Sequence, residues 1–193
     1  MIERGDSGSR EKGRHNAMEY SGMRLLVLGV GNSLMGDQGL GVAVVRQLAG
    51  GFVFPPEVAV VDGGAGSLDL LSLVAAAEQA YIIDAIEAGS KPGSIYMFNS
   101  EELDSAPAVR LGQDNMDLLE ILQAADMGGD ESVATIIGVQ PAKNRGFGEG
   151  LSREVRAAIP KIVDIIIELL AASGCAPKRR ETARSVISVA RFA

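Results

Sequence analysis

The side chains of this sequence that could do chemistry are mainly carboxylates that follow apolar stretches. Asp37 lies in the glycine-rich segment "GVGNSLMGDQGLG", Asp62 begins the triplet "DGG", and Asp84 interrupts the apolar run "AYIIDAI". Carboxylates can act as general acids or bases, and they can bind cations through oxygen. These three positions are therefore the first candidates for a catalytic or binding site.

Residues 23–173 contain no histidine and no cysteine, so the chemistry of these side chains is excluded there. The only histidine is His15, near the N-terminus, and the only cysteine is Cys175. A Ser–His–Asp triad, a Cys–His pair and a zinc site of Cys and His are therefore excluded, and no internal disulfide can form. Any catalysis must use carboxylates, hydroxyls, amides, lysine, or a metal that a partner supplies.

The glycine-rich segment also has structural interpretations. Gly29 and Gly31 match the first two glycines of a G-x-G-x-x-G turn, but Leu34 occupies the third place, where a pyrophosphate needs close approach to the helix. Nucleotide binding is therefore disfavoured, and the glycines could simply form a tight turn. Asp37 could likewise be the N-cap of a helix that begins at Gln38.

Apolar strands and amphipathic helices alternate along the chain, and these elements must position the candidate side chains. Strands are predicted at "RLLVLGV", "EVAVVDGG", "AYIIDAI" and "SVATIIGVQ", with a further strand after "GSKPG". The order predicts an α/β three-layer sandwich, with a central, mostly parallel sheet of about five strands and helices on both faces. Ligands of such sheets bind beyond the carboxyl ends of the strands, where the three aspartates fall. Pro160 is expected to kink the last helix or start a new turn there.

The charge is unevenly distributed and argues against a nucleic-acid partner. The formal net charge is −7. Residues 1–22 carry no net charge and residues 174–193 carry +4, which leaves −11 on residues 23–173. An acidic body repels phosphates and suits a cation or a basic peptide, although a general solubilising role explains the charge equally well.

Both ends of the chain are predicted to be tails around one domain. Residues 1–22 are polar and rich in Gly, Ser and charge, a composition typical of disorder. Residues 23–173 are assigned to the α/β domain. Gly174 and Pro177 are typical of a helix stop, and they open a basic tail at 174–193.

Membrane insertion is not expected. The longest apolar stretch, "IVDIIIELLAA", contains Asp164 and Glu168 and is too short to span a bilayer. The N-terminal segment has no apolar core and is not a signal peptide. We therefore expect a soluble, cytoplasmic protein.

Five segments, in this order, resemble the signature segments of the [NiFe]-hydrogenase maturation endopeptidases. They are "LGVGNSLMGDQGLGVAVV", "VVDGGAGSLDLL", "IIDAIEAGSKPGSI", "DNMDLLEIL" and "IIGVQP". The resemblance covers about residues 24–170. Members of that family remove a short C-terminal extension from the hydrogenase large subunit after nickel has been inserted. The resemblance implies a hydrolase whose partner is a large-subunit precursor.

The resemblance also implies a nickel-recognition site of three side chains. Its positions fall on Gln38, Asp84 and Asp114, and only Asp84 has the residue type usual in the family. The family has an acid at the first position and a histidine at the third. Amide and carboxylate oxygens suit harder cations than nickel. We therefore expect weak or altered binding here, with the nickel supplied by the substrate.

Two functions remain open at this point. In the first, the protein is an active endopeptidase: Asp84 positions or deprotonates the attacking water, while nickel in the substrate polarises the scissile carbonyl. The substrate would then lie along Asn32, Asp37, Gly63 and Gly64, although the two glycines could equally form a turn before the next helix. In the second, the altered positions make the protein a catalytically degenerate binding protein or chaperone for a hydrogenase-like large subunit.

Overall fold

The computed structural model describes residues 22–64, 68–99, 110–111, 133–142 and 146–181. The elements in these ranges are β1 (Leu25–Val30), a 3-10 helix (Gly36–Gly39), α1 (Leu40–Gly51), β2 (Phe52–Val53), β3 (Val58–Gly64), α2 (Leu68–Ala76), β4 (Gln79–Glu87), β5 (Ile95–Asn99), β6 (Arg110–Leu111), β7 (Val133–Val139), α3 (Arg153–Ala172) and β8 (Lys178–Arg179). The segment "MDLLEILQAAD" at 116–126, whose pattern predicts a helix, lies outside the described residues. In the described ranges, no helix is both long and apolar enough to cross a membrane.

A mostly parallel sheet forms the middle layer of the fold. Its strand order is β3-β1-β4-β7-β5. The first four strands are parallel, and β5 runs antiparallel to β7 at one edge. The short strand β6 pairs with the end of β4. The predicted sheet is therefore confirmed, and β3, β1 and β4 present their carboxyl ends side by side.

Helices cover both faces of this sheet because the side chains of each strand alternate between two cores. On β1, Leu25 and Val27 pack in the core formed with α1 and α3, whereas Leu26 and Leu28 pack in the core formed with α2. The strand is buried throughout, as expected of a strand with a helix on each face. The three-layer arrangement predicted from the sequence is confirmed.

The last helix, α3, continues through Pro160 as one helix, so no new helix starts there, whereas the predicted kink stays a prediction. Ser152 caps the helix by accepting a hydrogen bond from the Val155 amide at 3.3 Å. Pro160 removes the helical hydrogen bond to the carbonyl of Arg156. Both residues lie on the exposed side of the helix. Water can therefore replace the lost bond there, and the helix continues to Ala172.

The first residues of the predicted basic tail pack on the domain. Strand β8 pairs with β2 in a separate two-stranded sheet. The Arg180 side chain donates to the carbonyl of Phe52 at 3.0 Å, and the Arg179 guanidinium lies 5.6 Å from the centre of the Phe52 ring. Cys175 is buried and has no disulfide partner. The packed structure therefore extends past the predicted boundary at residue 173, as far as residue 181.

Candidate active site

The carboxyl ends of three neighbouring strands form the edge of the sheet where the candidate side chains were predicted. The end of β1 lies between β3 and β4, and the Gly31 amide donates to the carbonyl of Gly64 at 2.7 Å. On β4, Asp84 lies beside Gly138 of β7. The chain positions Asp84 here because the apolar run around it forms the central strand of the sheet. The edge therefore contains the segments that begin at Gly31, Asp62 and Asp84.

Asp84 is the most deeply placed carboxylate of this edge. Its residue surface is fully buried. One carboxylate oxygen, Oδ1, accepts a hydrogen bond from the Ala85 amide at 2.7 Å. A carboxylate held in this way has a defined orientation, which a group that positions water or contacts a metal requires.

The loop after β1 brings the backbone of Gln38 close to Asp84. Gly31 has a φ of +126°, and a side chain built there would overlap the Gln38 carbonyl oxygen and lie 3.8 Å from Asp84 Oδ1. Only glycine fits this backbone conformation and this space. The structure therefore places the backbone of Gln38 beside Asp84. Gln38 is half-buried, and Asp114, the third predicted metal-site residue, lies outside the described residues.

Asp37 has a structural role that neither sequence interpretation anticipated. It lies inside the 3-10 helix, and no side chain caps that helix or α1, so the predicted N-cap is wrong. Its carboxylate is almost fully buried and accepts hydrogen bonds from the Ala142 amide at 2.8 Å and the Ser152 amide at 2.6 Å. Both oxygens are therefore engaged within the protein. The predicted contact between Asp37 and a substrate does not agree with this burial.

The other residues predicted to bind substrate differ in their surroundings. Asn32 is exposed, and its side-chain oxygen accepts from the Leu34 amide at 3.0 Å, which shapes the loop. A side chain at Gly63 would come within 2.9 Å of the Leu28 side chain. Together with the end of the Leu70 side chain of α2 at 3.1 Å, this leaves little room for a side chain at Gly63, so glycine favours close packing of β3 under α2.

Only part of the candidate metal site lies within the described residues. Among the residues that the structure describes, no group of three or more His, Cys, Asp or Glu side chains is arranged to hold a metal ion. The Asp84 carboxylate and the Gln38 amide oxygen are the donors at the sheet edge that the family resemblance singled out. Asp114 lies outside the described residues, so weak or altered nickel binding stays a prediction.

Gln140 is a residue of this edge whose role the sequence did not reveal, although it lies in the quoted segment "IIGVQP". It is buried, and its side-chain oxygen accepts from the Ala88 amide at 2.8 Å and the Ser90 amide at 3.2 Å. Its backbone also bonds to Gly93 and Ser94. Gln140 thereby holds the connection between β4 and β5. A glutamine directly after a buried strand was the available signal.

A family model and individual relatives both indicate the same protein family. The family model of the hydrogenase maturation proteases, HycI, matches residues 42–169. The hydrogenase expression/formation protein HupD of Bradyrhizobium diazoefficiens is 31% identical over 159 residues, which is 81% of this chain and 83% of that protein. The hydrogenase 2 maturation protease of Escherichia coli is 30% identical over 161 residues, which is 82% of this chain and 98% of that protein.

A solved structure supports the same assignment. The hydrogenase maturating endopeptidase HybD from E. coli superposes with a TM-score of 0.73 at 30% sequence identity, covering 82% of this chain and 98% of that one. The sequence match and the shared fold cover nearly the same share of the chain. The chain therefore belongs to the hydrogenase maturation protease family, and it is a hydrolase with a role in hydrogenase maturation.

Proposed function

We propose that this protein is an endopeptidase that removes a C-terminal extension from a nickel-loaded [NiFe]-hydrogenase large subunit. The observation that carries the proposal is the position of Asp84. It is a buried, oriented carboxylate at the carboxyl end of the central strand β4. Ligands of open α/β sheets bind at such ends. Family membership supplies the reaction class, and Asp84 is the group at this edge best suited to perform it.

Asp84 would position or deprotonate the water that attacks the scissile carbonyl. The nickel belongs to the substrate, held by the large subunit, and would polarise that carbonyl as a Lewis acid. Gln38 and Asp114 would complete the set that recognises the metal. Because Gln38 is neutral, the affinity of this set for nickel is expected to be low, and the substrate's own ligands would keep the metal in place.

Catalysis by Asp84 requires that its carboxylate become accessible at the edge of the sheet. Asp84 is fully buried in this conformation, and the backbone of Gly31 and Gln38 lies beside it. The outer part of the loop after β1 is exposed at Asn32 and Leu34. We therefore propose that side chains at this edge shift when the large subunit binds and expose Asp84, while the loop backbone keeps the conformation that the Asp37 hydrogen bonds fix.

A second function, a non-catalytic binding protein for the large subunit, is favoured by one observation. Gln38 stands where the resemblance leads one to expect an acid. A protein that had lost cleavage could retain the surface that binds the precursor while losing a charged ligand. The two functions differ in whether the mass of the large subunit changes.

Mass spectrometry of the large subunit distinguishes the two functions. The precursor would be coexpressed with the parent protein, with Asp84→Asn, with Asp164→Asn, or with none of them. Asp164 is an exposed carboxylate on α3 and serves as the matched control. We expect the shortened mass with the parent and Asp164→Asn, and the precursor mass with folded Asp84→Asn. A precursor mass in every sample would favour the binding protein, whereas normal cleavage by Asp84→Asn would remove Asp84 from the mechanism.

A further inference from the structure

Two large apolar side chains are exposed on adjacent loops at the edge of the sheet that contains Asp84. The exposed fraction is 56% for Leu34 and 75% for Phe147. The Gly148 amide donates to the carbonyl of Leu34 at 2.8 Å, so the two loops run side by side. Leu34 belongs to the loop that brings Gln38 close to Asp84. We call Leu34 and Phe147 the apolar pair.

A tight turn holds Phe147 in its exposed position. The Glu149 amide donates to the carbonyl of Gly146 at 3.3 Å, and Gly148 has a φ of +78°. This is the pattern of a type II turn, with Phe147 at the second position and the glycine that the turn requires at the third. The exposure of the ring therefore follows from a defined backbone conformation.

One buried carboxylate fixes both loops of the apolar pair. Asp37 lies in the loop of Leu34, and it accepts hydrogen bonds from Ala142 and Ser152, which flank the segment of Phe147. A loop whose backbone is already held in place loses less entropy when a partner binds to its side chains. Aromatic side chains on such rigid surfaces often contribute much of the binding energy of an interface.

Single exposed apolar residues are common on protein surfaces and need no partner. Val53 and Met97 are of this kind in the described part of the chain: they are 51% and 57% exposed, one on β2 and the other on β5. The apolar pair differs because its two members lie on neighbouring loops joined by a backbone hydrogen bond, and Leu34 belongs to the loop whose Gln38 backbone approaches Asp84. Its position is therefore continuous with the place where the substrate is proposed to bind.

We propose that Leu34 and Phe147 are substrate-anchoring residues, against which an apolar side chain of the large-subunit precursor packs while its metal-bearing C-terminal region faces Asp84. This inference rests on the proposed function. Packing across the pair would bury apolar surface of both proteins and would fix the precursor relative to the sheet edge. The pair would thus determine how tightly the precursor binds, and the groups around Asp84 would determine how fast it is cleaved.

The test compares kinetic constants of Phe147→Ser and Leu34→Ser with those of Met97→Ser and Val53→Ser, which remove side chains of similar exposure elsewhere. With purified nickel-loaded precursor, we expect KM to rise about tenfold for Phe147→Ser and by less for Leu34→Ser. We expect kcat within about twofold of the parent value, because the chemistry is untouched. The two control variants should keep both constants, and Phe147→Leu should restore most of the lost affinity.

Equal thermal midpoints of the parent and the Phe147 variants verify that folding is unaffected. If the parent cleaves the precursor and Phe147→Ser has the KM of Met97→Ser, the anchoring role is wrong. A fall in kcat alone would also overturn it. If the parent binds the precursor without cleaving it, the proposed cleavage fails. Weaker binding by Phe147→Ser, measured by copurification, would then still support the anchor, and equal binding would refute it. A parent that neither binds nor cleaves refutes both proposals.

Discussion

Replacing Asp37 by asparagine tests the most specific structural role found in this protein. The Asp37 carboxylate accepts two backbone hydrogen bonds while almost fully buried. Asparagine has nearly the same volume but only one acceptor oxygen, so its NH₂ group would face one of the two backbone N–H groups. One charge-assisted bond is lost, and one buried N–H is left without an acceptor.

The expected loss follows from these two changes. A hydrogen bond to a charged group contributes about 1.5–3 kcal/mol, and an unsatisfied buried donor costs about 1–3 kcal/mol. The two figures overlap in part, so we expect Asp37→Asn to lower the free energy of unfolding by about 2–4 kcal/mol. For a protein of this size, the thermal midpoint should fall by about 5–15 °C.

The assay is urea unfolding of Asp37→Asn beside the matched variant Asp62→Asn. Asp62 also accepts a backbone amide, that of Gly64 at 3.1 Å, but it is exposed and pairs with Arg46 on the surface. Its asparagine variant keeps an acceptor oxygen and loses a surface ion pair worth about 0–1 kcal/mol. Hydrogen exchange should also accelerate at the amides of Ala142 and Ser152 in Asp37→Asn alone. Equal unfolding free energies for the two variants would refute the role given to Asp37.

Three further results are expected. Gly31→Ala should destabilise the protein by about 2 kcal/mol or more in chemical denaturation, because the new side chain overlaps the Gln38 carbonyl at a positive φ. The control Gly50→Ala lies in a helix with open space around it, so it should be neutral or stabilising by about 0.5–1 kcal/mol. Gln140→Leu should lower the free energy of unfolding by about 2 kcal/mol, because two amides of the β4–β5 connection lose their acceptor. Gln38→Glu combined with Asp114→His should bind Ni²⁺ at least about tenfold more tightly in calorimetry, or about 1.4 kcal/mol; an unchanged affinity would mean that these positions do not share one metal.

The strands and the position of Asp84 could be predicted because both depend on local pattern. Continuous apolar runs are typical of strands with a helix on each face, and β1 and β4 are such runs. Parallel strands place their carboxyl ends at the same edge of the sheet. The sequence alone therefore makes an aspartate near the end of a central strand a candidate for the site.

The roles of Asp37 and Gln140 could not be predicted, because their partners are distant in sequence and are ordinary backbone amides. The amides bound to Asp37 lie 105 and 115 residues away, and those bound to Gln140 lie 52 and 50 residues away. Every one of these partners is a backbone N–H, which nearly all residues possess. Residue type and position can therefore mark the side chain, as they do for Gln140 after a buried strand, but they do not identify its partners. The same limit explains why an N-cap was a reasonable interpretation of Asp37, although it is wrong.

The burial of Asp37 also determines whether its carboxylate could take the place of the acid that is absent at Gln38 in the proposed metal site. Asp37 cannot replace the missing acid at Gln38, since turning its carboxylate outward would leave two buried amides without acceptors. The 3-10 helix has the sequence "GDQG", so Gln38 is its only other polar side chain. In the proposed site, this 3-10 helix therefore supplies no carboxylate to the nickel, and the proposed set keeps only the carboxylates of Asp84 and Asp114. An active enzyme of this kind must rely on the ligands that the large subunit itself provides. Gln38→Glu should then strengthen metal binding without altering stability. Asp37→Asn should instead lower stability without altering metal binding.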